Sequence, residues 1–332
     1  MELRREVLEA EIVYPGSERP APTSVEVRWD PLTGHTARLV GSPPGALFPP
    51  ADPGVLATLA EESRASCPFC PERIEQVTPR FPPAIWPQGR IRRGRALLFP
   101  NLLTYGQYAS VSVYGPDLHA LRLGEFTPEL VGDNLAAQVA FVRAVLRHDP
   151  AATWASLNAN HLVPSGGSLF HPHLQGTAGP FPTTFQRLLA DIPAERFADY
   201  LATERRIGAR HLGATGRAEW LAAFAPAGPA ELRALVPEVA APAELDDELL
   251  AELGRGISAA LGLYAELGFE SFNLAIYGQP PGHPLLLRML CRQNPRPFYR
   301  SDVMYLERLH WEAAVDLTPE DLAEQAGDRF RS

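Results

Sequence analysis

Cys67-Pro68-Phe69-Cys70 is the segment that most constrains how this chain can fold. Two thiols separated by two residues can both face one metal from a tight turn, which is half of a tetrahedral zinc site. Such a half-site needs two more ligands, and the fold must carry them to residue 67. Among nine histidines, His119 and His171 are the best placed. A site of these four would tie the N-terminal region to the middle of the chain. The other reading is a small buried or redox pair. A redox pair typically opens a helix in a thioredoxin-like unit, whereas Pro71 and a polar run follow here. With Cys291 the cysteine count is three, which is no disulfide framework and fits a reducing compartment.

The surrounding elements alternate in type. Residues 25–29 and 96–99 are apolar enough for strands, and 108–114 (YASVSVY) alternates with β-branched and aromatic residues, a strong strand signal. A helix is predicted from Thr127, which caps it, through Pro128 and Glu129 to about His148, with Leu135, Val139, Val142 and Leu146 at helical spacing. A strand over 154–157 leads into a Gly/Ser loop. Then come a helical stretch over 183–210, strands over 220–224 and 230–236, a helix over 246–267, strands over 272–277 and 285–291, and a last helix over 319–329. The order strand, helix, strand, loop thus occurs twice, from about 95 to 180 and from about 220 to 300, without a visible sequence repeat. A length of 332 residues suits two domains or one large one.

The densest chemistry lies in residues 160–175, NHLVPSGGSLFHPHLQ. His171 and His173 alternate, so on an extended chain they share a side. One imidazole can bind metal while the other faces a substrate, and Pro172 stiffens the backbone between them. Gly166 and Gly167, flanked by Ser165 and Ser168, can bring backbone N–H groups close to phosphate oxygens. Asn160 and Gln175 supply neutral donors. A neutral imidazole can attack phosphorus to give a phosphoramidate that a second acceptor cleaves. A lone His-x-His is more often a structural pair on a strand; the loop and Gln175 beside it weigh against that reading.

At these residues the chain resembles the galactose-1-phosphate uridylyltransferases of the histidine-triad superfamily, which use an HPHxQ motif. Further segments carry the resemblance in the family's order. They are Arg28-Trp29-Asp30-Pro31-Leu32-Thr33-Gly34, Cys67-Pro68-Phe69-Cys70, Pro116-Asp117-Leu118-His119 with one residue inserted, and Asp316-Leu317-Thr318-Pro319-Glu320. The resemblance implies an α+β fold of two histidine-triad-like repeats, each a mainly antiparallel sheet with packed helices. Residues 1–180 would hold the metal site and the HPHLQ motif, and 181–332 would contribute to the acceptor or sugar pocket. It implies a nucleotidyltransferase of ping-pong type. His173 would attack the α-phosphorus of a nucleotide sugar, and a sugar 1-phosphate or similar phosphate acceptor would then take the nucleotide. His171 would be a zinc ligand with Cys67, Cys70 and His119. Gln175 would contact the transferred group, Asn160 and Ser168 the phosphates, and Asn101 the nucleoside. A homodimer is implied as well.

The chain also departs from that pattern. Where the family carries an arginine-rich HRxxRP segment, it reads Ser42-Pro43-Pro44-Gly45-Ala46-Leu47, and Leu102 follows Asn101. Gly167 replaces a cysteine, the strand HPLLLRMLC over 283–291 lacks the family's clustered histidines, and sugar-contacting positions fall on Asp302 and Ala314. The phosphotransfer residues are kept while base and sugar contacts are rewritten. An ADP-sugar or dinucleotide phosphorylase or hydrolase is therefore the alternative, and a non-catalytic nucleotide-binding protein is the alternative of another class. Arg90, Arg92, Arg93 and Arg95 are read as a solvated strand edge or as replacement phosphate contacts, and Arg288 and Arg300 as anion contacts or ion-pair partners. The formal net charge of −9 argues against nucleic acid as a partner. The N-terminus has no apolar run behind its charges and no segment reaches the ~18 apolar residues of a membrane span, so a cytoplasmic protein without membrane contact is expected.

Overall fold

The computed structural model describes residues 1–41, 51–296 and 303–331. Residues 42–47, which stand where the family's arginine-rich segment would, and Arg300 and Asp302 lie outside the described residues. The elements run β1 (Arg5–Val13), β2 (Pro20–Trp29), β3 (Thr36–Val40), α1 (Pro53–Arg64), α2 (Ile74–Val77), β4 (Ile91–Arg93), β5 (Ala96–Pro100), β6 (Tyr108–Val113), α3 (Pro128–His148), β7 (Trp154–His161) and β8 (His173–Gly179). The chain continues with α4 (Thr184–Ala190), α5 (Ala194–Ile207), β9 (His211–Thr215), β10 (Ala218–Ala222), β11 (Leu232–Val236), α6 (Asp247–Glu266), β12 (Phe272–Tyr277), β13 (Leu285–Cys291), α7 (Tyr305–His310), β14 (Ala313–Val315) and α8 (Pro319–Ala326). This is a mixed α+β fold. No helix among the described residues is long and apolar enough to cross a membrane.

Ten strands form one sheet in the order β4-β5-β6-β8-β7-β12-β13-β11-β10-β9, with every pairing antiparallel. The order repeats about its centre. Three strands, a long helix and two strands give 4-5-6-8-7 on one side and 9-10-11-13-12 on the other, joined where β7 pairs with β12. A second sheet, β1-β2-β3-β14, carries the N-terminus, with β3 and β14 parallel.

The long helices α3 and α6 cover one face of the large sheet. Thr127 caps α3 by accepting from Leu130 N, and Val131, Leu135, Val139 and Val142 are buried. The same face of α3 also buries Asn134 and Gln138, which the hydrophobic spacing does not reveal. Gln138 Nε2 donates to Ser112 Oγ at 2.7 Å, and Ser110 Oγ donates to Gln138 Oε1 at 2.9 Å. Buried polar groups are tolerated only when paired in this way. Gly176 of β8 leaves room for the pair, since a Cβ there would come within 2.2 Å of Gln138 Oε1. Helix α3 thereby fixes β8 from behind.

Several boundaries differ from the sequence reading. β7 runs on to His161 rather than stopping near 157. The helical stretch over 183–210 is two helices, because Pro193 has no N–H to continue α4 and becomes the cap of α5. α5 ends at Ile207 and β9 follows at His211, so the second copy begins at 211 rather than 220. The hairpin β1-β2, helix α1, β3, α7 and β14 had no strong periodic signal.

Candidate active site

The site lies on the sheet face opposite α3. Residues paired across strands share a face, so the register defines a row. Val111 pairs with Gln175, Gln175 with Asn158, Asn158 with Ala275, and Ala275 with Arg288. His173 pairs with Val113 and is two residues from Gln175, hence on the same face. Asn160, two residues beyond Asn158, lies on the His173 side of that row and pairs with Asn273. Asn101, the residue after β5, adjoins this face: its N–H donates to Ala109 O at 2.9 Å, and Ala109 pairs with Thr177. Its side-chain oxygen accepts from Leu103 N at 3.1 Å and closes the turn that follows.

Cys67, Cys70, His119 and His171 come together, all buried, with one ligand atom from each lying within 4.8 Å of the others. The ring orientations suit a metal. His171 Nε2 donates to Gly115 O at 2.9 Å, so its bare Nδ1 faces Cys67 Sγ at 3.6 Å and Cys70 Sγ at 3.9 Å. His119 Nε2 donates to Ala60 O at 2.9 Å, leaving Nδ1 at 3.3 Å from Cys70 Sγ. Fixing one ring nitrogen through a backbone carbonyl is how proteins orient metal-binding imidazoles. Burial, and then the neighbouring Cys67, push the Cys70 thiol up to about 11, and burial lowers His171 to about 4 despite its bond to Gly115. The group could therefore hold a metal ion: two sulfurs and two neutral nitrogens in a buried cluster match a soft, tetrahedral ion. Helix α1 supplies Ala60 and was not foreseen from the sequence.

His173 is buried and its tautomer is fixed. Its Nδ1 lies 2.8 Å from His171 O, a carbonyl that can only accept, so Nδ1 carries the hydrogen and Nε2 is bare. Burial lowers its pKa, with the His171 carbonyl opposing. Burial thus favours the neutral ring, whose bare Nε2 could act as a nucleophile. Gln175 Nε2 stands 3.4 Å from that nitrogen. Phe69, between the two cysteines, stands edge-on to both His171 and His173, with centroids 5.9 and 5.6 Å away.

The Gly/Ser loop is a tight turn. Leu162 (φ 68°) and Gly166 (φ 89°) take the left-handed conformation. The N–H groups of Gly166 and Gly167 bond Val163 O and Leu162 O inside the turn, which leaves the exposed Ser168 as its outward-facing member. The reason for Gly167 is steric: a Cβ there would come within 2.8 Å of both Asn160 O and Leu162 O. Sequence reasoning missed Asn158, whose Nδ2 bonds Ser156 Oγ at 3.0 Å and Gln175 O at 3.4 Å, and Asn273. Neither belongs to a motif; only strand pairing reveals them.

Other candidate residues are taken up by partners. Arg90 and Arg92 both pair with Glu75, and Arg95 pairs with Asp117. Arg288 Nε bonds Glu231 at 2.7 Å, while Arg233 bridges Glu231 and Asp30 at 2.8 and 2.6 Å. Asp30 also accepts from Leu32 N and Thr33 N, and Arg28 pairs with Glu320 at 3.0 Å. The Arg-x-Asp-Pro-Leu-Thr and Asp-Leu-Thr-Pro-Glu segments therefore meet as a structural joint rather than beside His173. His161 is buried between Phe126 and Phe272, and burial lowers it to about 3.

The fold is shared with solved uridylyltransferase and phosphorylase structures. An ADP-glucose phosphorylase from Arabidopsis thaliana with bound ADP-glucose superposes with a TM-score of 0.67 at 19% identity, over 91% of this chain and 98% of that one. A uridylyltransferase-like protein from the same plant gives 0.67 at 19%, over 93% and 99%. A uridylyltransferase gives 0.58 at 19%, over 92% and 98%. No protein-family model matches. Within that fold, the chain belongs to the same family as an uncharacterized protein of Archaeoglobus fulgidus, to which it is 30% identical over 98% of both chains.

Proposed function

We propose that the protein is a nucleotidyltransferase in which His173 carries the nucleotide covalently. The observation that carries this reading is the bare, buried Nε2 of His173, held by the His171 carbonyl with Gln175 beside it. The Nε2 lone pair attacks the α-phosphorus of a nucleotide sugar. The bond from phosphorus to the bridging oxygen breaks, and its electron pair leaves with the sugar 1-phosphate. The ring keeps its Nδ1 proton and becomes positively charged, and the His171 carbonyl facing that proton stabilises the charge. Gln175 and Asn160 donate to the phosphoryl oxygens, the prearranged electrostatic support expected to matter most. A phosphate-bearing acceptor then attacks from the vacated side and restores the neutral ring.

Zinc is the ion that best matches Cys67, Cys70, His119 and His171; with four protein ligands it has a structural role and supplies a rigid anchor for the 171–173 backbone. Residues 1–180 carry this machinery, and 181–332 extend the same sheet face through β12 and β13. Phosphorolysis of an ADP-sugar is the second reading. It is favoured by the rewritten segment after Asn101 and by the fold shared with the ADP-glucose phosphorylase.

The test is intact-protein mass spectrometry at neutral pH after mixing with UDP-, ADP-, GDP- or TDP-sugars separately and without acceptor. A single adduct, absent in His173→Ala while zinc stays stoichiometric, is expected, and its mass names the nucleotide. Normal turnover by His173→Ala would refute the assignment, and nucleotide binding without an adduct would favour a non-catalytic role. Product analysis with inorganic phosphate as the only acceptor separates transferase from phosphorylase.

A further inference from the structure

Asn273, on β12 in the second half of the sheet, directs one side-chain nitrogen at three oxygens. Nδ2 donates to Asn160 Oδ1 at 2.7 Å and to Ser165 O at 2.9 Å, with Ala159 O at 3.4 Å. Ser165 O and Ala159 O are backbone carbonyls, which only accept. The group of Asn273 that faces them is therefore its NH2. The atom of Asn160 that faces this NH2 is in turn its oxygen. The amide of Asn160 thus has one orientation, with its own NH2 turned away. That NH2 makes no hydrogen bond among the described residues and looks toward Gly166, whose missing Cβ would stand 3.9 Å from it.

We infer that Asn273 is a positioning residue for phosphoryl transfer: it aims Asn160 Nδ2 at an oxygen of the phosphoryl group beside His173. This rests on the nucleotidyl-transfer reading above. The ligand group is an anionic phosphoryl, because the freed donor joins Gln175 on the same side of the same sheet as the bare Nε2 of His173. A residue from the second half thereby orients a donor in the first. Asn273→Asp keeps the shape but puts an oxygen where the NH2 was. Asn160 then turns its NH2 to the new carboxylate and presents its oxygen to the substrate.

Four proteins test the inference: wild type, Asn160→Ala, Asn273→Asp and the double variant. The rate of His173 nucleotidylation is read by quenched intact mass, with UMP and AMP affinities measured in parallel by calorimetry. Removing a donor to the reacting group slows such a step ~100-fold, the effect expected for Asn160→Ala. Asn273→Asp slows it about tenfold or more, with zinc content unchanged. The decisive readout is the coupling: on the Asn160→Ala background, Asn273→Asp costs less than about twofold, because its route runs through Asn160. Multiplicative losses, or a wild-type rate in Asn273→Asp, overturn the inference. If Asn273→Asp does not fold, Asn273→Ala, which removes the orienting donor, takes its place in the same cycle. If the wild type forms no adduct, the functional reading fails on its own. The same cycle in nucleotide affinity then decides Asn273, with coupling in its favour, and additivity or absence of binding against it.

Discussion

Replacing Gly167 by alanine adds one methyl group at the tightest point behind the site. The new Cβ would stand 2.8 Å from Asn160 O and 2.8 Å from Leu162 O, about 0.6 Å inside ordinary contact. Both are backbone atoms. Leu162 O is further held by bonds from Gly167 N and Ser165 Oγ, so neither oxygen can swing aside as a flexible side chain would. The strand end carrying Asn160 and the loop carrying Ser168 must separate instead. A displacement of 1 Å costs a reacting geometry ~100-fold, so about tenfold or more is expected here. Overpacking of this kind costs roughly 1–3 kcal/mol in stability, a fall of a few degrees at most in Tm for a chain of this size. The assay is the single-turnover rate of His173 nucleotidylation beside a thermal melt and a zinc determination. The expected result is a slow, folded, zinc-loaded enzyme. A Gly167→Ala protein with the wild-type rate and Tm would show that the loop does not position the donor, and would refute the reasoning. Gly166→Ala is a control of different origin: space is open there, but φ of 89° strains any side chain.

Further outcomes are expected. Because burial lowers the His173 pKa, its neutral form persists below the ordinary histidine value; the nucleotidylation rate should fall with acid at a midpoint below 6.5, and a midpoint at or above 6.5 in single-turnover profiles would contradict this. Cys70→Ser should lose zinc by elemental analysis and lower the Tm substantially, since structural zinc sites contribute directly to folding. Burial opposes ionisation of Glu231, but Arg233 and Arg288 overcome it and lower the group from 4.5 to about 2. Its folded pKa is the depressed one, so its stabilisation is present above pH 4.5 and lost as pH falls toward about 2. Glu231→Gln should flatten urea stability across that window and cost about 3–5 kcal/mol above it, because two buried arginines lose a partner.

The sequence was most informative where a local rule coincides with burial. Strands β12 and β13 are bounded as their apolar runs suggest, and α3 and α6 begin at the caps Thr127 and Asp246. Of the β1-β2 hairpin only the end of β2, residues 25–29, was legible; β1 was not, because it is exposed along its whole length and no alternation marks it. β14 is three residues long and exists only by pairing with β3. The four residues gathered around Cys67 were found because their chemistry is rare. Asn158 and Asn273 were not, since an asparagine on a strand carries no signal until register places it; 113 residues separate Asn273 from Asn160. Arg90, Arg92, Arg95 and Arg288 show the opposite case: their charge was legible, but the carboxylates that neutralise them come from elsewhere in the chain.

The pairing of β7 with β12 has one more consequence. A sheet made by two identical subunits must repeat every change on both sides of its symmetry axis. Here the two like halves are covalently joined, so each side changes alone. One carries His173 on β8; the other carries on β13 an arginine locked to Glu231. The halves thus differ in their side chains, yet the hydrogen-bonded seam between them crosses the row that contains Gln175 and Asn158. Cutting the chain after β8 would leave β7 as a bare edge one strand from His173, so the half that carries His173 cannot be separated from the other without opening the sheet beneath the candidate site.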